Sequence, residues 1–279
     1  MPRRTLERVV EVLSLDELVP AFDRRIREGY LYGDFQFSID ERAEDFLRRG
    51  IFSCYRPVAP GTRVPAGQRV LSTEKWQRLL YLAHTDKARA YEEYVEHYLA
   101  TSGQLYHSDA HQLAEYTDDY HLLLDRAMRA TVSATEVITE LYVPRSRVAD
   151  FMAEAAADFR RHGIDVVYGT LRLIRREEDT FLRWARDDFA CVIFNLHTVH
   201  AEEPLALAAQ AFRRLIDMAV ARGGSYYLTY HRHATRAQVE ACYPEFEGFL
   251  AEKRRYDPSG LFDSDWHRHH RALFDGHAA

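Results

Sequence analysis

The side chains in this chain that could do chemistry are histidines, arginines and carboxylates set into apolar stretches. The run Tyr230-His231-Arg232-His233 holds two imidazoles at a two-residue spacing, which on a strand puts both rings on one face. An imidazole titrates near neutrality and can take up a proton as a substrate bond breaks. Arg172 stands between Leu171 and Leu173, so strand alternation turns its guanidinium away from the core. Its several donors can there bind substrate oxygens or stabilise an alkoxide. Asn195 and His197 alternate in the same way, as do Tyr32, Asp34 and Gln36. Polar residues in this pattern line either a pocket or a solvated side. The 14 histidines also raise metal binding, through His197 with His200 or His231 with His233, completed by a carboxylate such as Glu140. A zinc site needs three or four converging ligands, and chance pairs are common in a histidine-rich chain, so no metal is expected.

Alternating patterns of strand and helix must position these groups. Leu6 to Leu13 predicts a strand, after which Ser14 or Asp16 caps a helix from Leu15 to about Arg27. Tyr30 to Ile39 predicts a second strand with one polar, aromatic-rich face, and Ile51 to Val58 a third that runs into a Pro- and Gly-rich cluster ending at Gly67. Helical spacing takes over from Thr73 to about Met128, with a break near Ser102-Gly103. Trp76, Leu79, Leu80 and Ala83 form one buried stripe there, and Tyr91, Tyr94, Val95 and Tyr98 another. Beyond Thr135 the pattern gives strand Val137 to Val143, helix Ser146 to His162, and strands Asp165 to Ile174 and Phe189 to Leu196. Helix Pro204 to Arg222 and strand Ser225 to Tyr230 follow. Gly163 and Gly223-Gly224 stand at the helix stops. This order predicts an α+β fold: a broad, mainly antiparallel sheet with helices packed on one face and a mainly helical insertion at about 73–130. Neither a sequence repeat nor a linker divides the chain, which predicts a single domain over 1–279.

Composition narrows the function classes. With 279 residues, 47% hydrophobic and 29% charged, the chain can bury one substantial core or two small ones. A net charge of −6 argues against a nucleic-acid partner. Cys54, Cys191 and Cys242 are widely spaced and predict buried apolar thiols. There is no signal-peptide core and no apolar run of the roughly 18 residues needed to span a bilayer, so the expectation is a cytoplasmic protein without a membrane span.

A family resemblance gives these residues a setting. Gly223-Gly224-Ser225-Tyr226-Tyr227-Leu228-Thr229-Tyr230-His231-Arg232-His233, then Tyr243-Pro244, then Tyr256-Asp257-Pro258-Ser259-Gly260-Leu261-Phe262 resembles the end of the substrate-binding (cap) domain of FAD-linked oxidoreductases of the vanillyl-alcohol-oxidase type. Met1-Pro2-Arg3-Arg4-Thr5-Leu6-Glu7-Arg8-Val9 looks like the junction where such a domain begins. Glu140-Leu141-Tyr142-Val143-Pro144 and Gly169-Thr170-Leu171-Arg172 look like its later strands, the last bearing an active-site arginine. The nearest likeness is to sugar- and polyol-type members, including aldonolactone oxidases, alditol oxidases and the decaprenylphosphoryl-ribose oxidase.

The resemblance implies a fold of the substrate domain, FAD as cofactor, and oxidation of a CH–OH group of a sugar, polyol or lactone. It implies catalytic roles for Arg172, His231 and His233, and substrate contacts from Glu140, Asn195, His197, Tyr230 and Arg232. It also implies a partner, because a flavin-binding domain would precede this stretch, and no Gly-x-Gly-x-x-Gly or other Gly-rich phosphate loop occurs in the sequence. The flavin is therefore expected on a separate domain or chain. Members of this type often carry a His-Trp-x-Lys run where this chain has His231-Arg232-His233-Ala234, so a cationic lysine role would pass to Arg232 or a histidine. Two other readings stay open: a noncatalytic binding or regulatory remnant of such an enzyme, and a metal-dependent enzyme built on histidine and glutamate.

Overall fold

The alternating start of the chain forms strand β1 (Thr5–Ser14), which leads directly into helix α1 (Leu15–Arg27). The Glu17 carboxylate accepts from the Ser14 backbone N–H at 2.9 Å and from its hydroxyl at 2.8 Å, fixing that transition. Strands β2 (Tyr32–Phe37) and β3 (Arg49–Pro57) follow. The predicted helical stretch resolves into α2 (Thr73–Thr85), α3 (Lys87–Leu99), a short strand β4 (Leu105–His107) and α4 (Tyr120–Met128). Ser72 caps α2 and Asp86 caps α3 through side-chain oxygens. Then come β5 (Ala134–Pro144), α5 (Val148–His162), β6 (Val166–Leu173), β7 (Phe189–Val199), α6 (Glu202–Val220) and β8 (Ser225–Tyr226). Helices α7 (Arg236–Cys242), α8 (Phe246–Tyr256) and α9 (Asp265–Asp275) end the chain. This computed structural model describes residues 3–109 and 120–276. Met1 and Pro2 of the family-like junction and residues 110–119 of the predicted helical stretch lie outside the described residues.

The strands form one antiparallel sheet in the order β4-β1-β3-β2-β6-β7-β5-β8. No repeat is visible in the sequence, yet the topology repeats. Each half runs strand, helix, strand, strand and places its third strand between the first two. The halves meet where Phe35 of β2 faces Leu171 of β6. Phe35, Phe37, Leu141, Val143, Leu171, Val192, Phe194 and Leu196 point from the sheet to one side. There they pack with Phe22 of α1, Phe151 and Phe159 of α5, and Phe212 and Leu215 of α6. Gly169 sits beneath this layer because a Cβ there would lie 2.2 Å from the Phe37 ring. Val239, Tyr243, Phe246 and Leu250 carry the same core into α7 and α8.

The α+β architecture is as expected, and the insertion takes a definite place: α2 and α3 cross the opposite face of the sheet, against β6 and β1. One strand is much shorter than predicted. β8 ends at Tyr226, and only the Tyr227 N–H continues toward β5, donating to the Glu140 carbonyl at 2.9 Å. Beyond it the chain wraps around the sheet edge, with Tyr227 against one face and Leu228 against the other. Among the described residues no helix is long and apolar enough to cross a membrane.

Candidate functional site

Between the sheet and the α2–α3 layer lies a groove of about 1520 Å³. Strand alternation builds its floor, because the residues out of phase with the apolar core point into it: Arg8 from β1, Tyr55 from β3, Asp34 and Gln36 from β2, Tyr168 and Arg172 from β6, Asn195 from β7. Trp76 and Leu79 of α2 and Tyr94 and Tyr98 of α3 form the roof. The two helix stripes predicted as buried therefore face a polar surface, and of their residues Leu79 and Ala83 are buried while Trp76, Leu80, Tyr91, Tyr94, Val95 and Tyr98 are half-buried.

Polar contacts knit the floor together. Gln36 donates to the Asp34 carboxylate at 2.8 Å, Thr170 reaches the same oxygen at 3.5 Å, and the Tyr94 hydroxyl donates to the Gln36 side-chain carbonyl. Burial raises the pKa of Asp34 above the ordinary carboxylate value, against the opposing pull of Arg172, Arg8 and its hydrogen bonds. The Arg8 guanidinium stacks 4.4 Å from the Tyr106 ring centroid and donates to the Tyr55 hydroxyl at 2.8 Å and the Thr101 hydroxyl at 2.9 Å. Asn195 also lines the groove, and its side-chain oxygen is buried without a hydrogen-bond partner.

Toward the far edge the same face continues. Arg172 lies opposite Cys191, which lies opposite Tyr142, and the Tyr142 hydroxyl donates to Glu140 at 2.5 Å. The Tyr227 and Tyr230 rings are 5.1 Å apart. Burial, then the nearby Glu140 carboxylate, raises the Tyr230 phenol pKa, while Arg172 pulls it down. Arg172, Glu140, Asn195, His197 and Tyr230 thus share one sheet face.

The expected catalytic trio does not assemble. Arg172 faces the groove, whereas His231 and His233 lie on the helix side of the sheet. His231 is 7% exposed, stacks on Phe212 of α6 at 4.4 Å and sits 3.2 Å from the Thr139 hydroxyl; His233 stacks on the same Phe212 ring at 5.3 Å. The reason is the early end of β8. Strand alternation no longer governs residues past the sheet edge, and the two rings fill the space beside α6 instead. Burial holds His231 as the neutral imidazole, with its pKa down to about 3. Arg232 also points elsewhere, donating to the Asp265 carbonyl at the start of α9.

His197 lies at the other end of β7 from Cys191 and meets two residues that sequence pattern did not select. Its Nδ1 is 3.3 Å from Glu136 Oε1, and Nε2 of His84 from α2 is 3.5 Å from the same oxygen. Glu136 shares the strand phase of Glu140, four residues on, and that phase was a usable signal. His84 gave none, since only the packing of α2 on the sheet brings it there. No protein-family model matches the chain, and comparison with curated proteins likewise yields no match.

Proposed function

We propose that this chain is the substrate-binding part of an FAD-dependent oxidoreductase that oxidises a CH–OH group of a sugar, polyol or lactone, partnered by a separate flavin-binding domain or chain. The observation that carries this reading is the meeting of Arg172, Asp34 and the unpartnered Asn195 oxygen on one sheet face beneath an aromatic roof. Breaking a carbinol C–H bond calls for donors to its oxygen and an acceptor for its hydroxyl proton. Arg172 supplies the donors. Asp34, whose proton affinity is raised by burial, takes the proton. Gln36 and Asn195 hold neighbouring hydroxyls, tyrosine and tryptophan rings cover the apolar faces of the substrate, and Glu140 and Tyr230 orient its outer end. His231 and His233, enclosed on the helix side, take no part.

FAD supplies the hydride acceptor when bound. The described residues of this chain offer its diphosphate no glycine cradle. The glycines that a side chain would crowd, Gly33, Gly50, Gly169 and Gly224, press against the chain's own atoms, and the turn glycines with positive φ face open space. The nucleotide end is therefore assigned to the partner. The groove, at about 1520 Å³, exceeds the roughly 300–1,000 Å³ of an ordinary small-ligand pocket, which leaves room for a partner's ring beside a sugar. We assign the complex to the cytoplasm, in keeping with three cysteines that are free and buried.

Titrating the chain with alditols and aldonolactones while following Trp76 fluorescence tests the substrate half of the proposal. Saturable quenching that is lost in Trp76→Phe and weakened at least tenfold in Arg172→Ala is expected. No saturable response to any of these ligands would contradict it.

A further inference from the structure

Behind the groove lining, His84 from α2, Glu136 from β5 and His197 from β7 converge so that one ligand atom from each lies within 4.8 Å of the other two. We propose that these three side chains bind a divalent cation of the zinc class, fastening α2 to the sheet. The inference is independent of the flavin reading. Zn–N and Zn–O bonds of about 2.0–2.2 Å in a tetrahedron set neighbouring ligand atoms about 3.3–3.5 Å apart. The two imidazole-to-carboxylate separations in this trio are 3.3 and 3.5 Å, both measured to the same Glu136 oxygen. The rings meet edge to face, 4.8 Å between centroids and 77° between planes, so neither stacks over the other's nitrogens.

The surroundings suit a metal better than a hydrogen-bonded trio alone. The side chains of His84, Glu136 and His197 are 2%, 6% and 16% exposed, so water satisfies little of their polarity. His84 Nδ1 is buried with no hydrogen-bond partner, which leaves the cost of burying that ring poorly offset by the protein. A cation held through Nε2 would give the buried ring one strong partner, with Nδ1 carrying the ring proton. The Tyr120 hydroxyl donates to Glu136 Oε2 at 2.6 Å, orienting the carboxylate while Oε1 faces the imidazoles, the kind of support a metal-binding carboxylate usually receives. Two histidines and one carboxylate are the donor set of zinc sites that keep a further position for an outside ligand. Tyr120, which donates to Glu136, and Asn195 both line the groove, which places the trio beside that space.

Isothermal titration of the tag-free chain with Zn²⁺ is the test. One equivalent should bind, and His84→Ala, His197→Ala and Glu136→Gln should each weaken binding by tenfold or more. His200→Ala, altering a histidine that contacts Thr135 instead, should leave binding unchanged. Absence of stoichiometric binding, or full binding retained in folded His84→Ala and Glu136→Gln, overturns the proposal. Should those variants fail to fold, the absorption of the unaltered chain titrated with Co²⁺ decides. Intense low-symmetry bands support the site, and the weak spectrum of the hydrated ion refutes it.

Discussion

Arg172 and His231 are both polar residues in apolar surroundings, and the structure gives them opposite tasks. Arg172 is exposed on the groove face with its electrostatic influence on Asp34 and Tyr230, so replacing it should alter binding far more than folding. His231 is locked between Phe212, Tyr226 and Thr139. Its folded-state pKa of about 3 lies below the ordinary 6.5, so the unfolded chain binds a proton more readily than the folded one. Stability from this residue is complete above about pH 6.5 and is lost as pH falls toward 3. His270, buried and lowered to about 4, acts in the same direction. Urea unfolding from pH 7 to pH 4 should therefore show a loss of up to about 1.4 kcal/mol per pH unit from each group. His231→Phe should flatten part of that slope; an unchanged slope would show that the ring is not buried against Phe212. Arg172 was legible from sequence because it lies within β6, paired with Cys191, where alternation still holds. His231 was not, because its direction depends on where β8 stops.

Elements set by local patterns agree closely between sequence and structure. α1 has its predicted bounds, and β5, β6 and β7 differ from their predicted ranges only at the ends. Capping, strand alternation and glycine stops are local, so they can be read without knowing the fold. The covering of the groove was not legible: the Tyr94 and Tyr98 stripe announces burial, but its period does not say whether the surface beneath is apolar or carries Gln36 and Asp34. Gly169 shows the same limit. Its place in a family-like Gly169-Thr170-Leu171-Arg172 segment gave no hint that it makes room for Phe37, which only sheet pairing brings there. Gly169→Ala should push Phe37 out of place at the centre of the sheet and lower stability by about 1–3 kcal/mol, measured by denaturant titration. Wild-type stability in this variant would mean that β2 and β6 do not pair with Phe35 opposite Leu171.

Over the whole molecule, the repeated strand-helix-strand-strand topology produces one sheet with two dissimilar faces. One is committed to the core that α1, α5 and α6 complete; the other gathers Arg172, Asp34, Asn195, Glu140 and Tyr230, with the insertion roofing the part nearest β1 to β6. That division underlies our proposal that this chain recognises substrate while a partner binds the flavin. The most direct test is co-expression of this chain with any flavin-binding domain encoded beside it, followed by anaerobic mixing of the purified complex with alditols and aldonolactones. A yellow complex is expected, whose flavin absorbance bleaches with one of these substrates at a rate at least tenfold lower in Arg172→Ala than in the unaltered complex and little changed in folded His233→Ala. A complex whose bound flavin no CH–OH substrate reduces, or whose reduction is indifferent to Arg172, would contradict it.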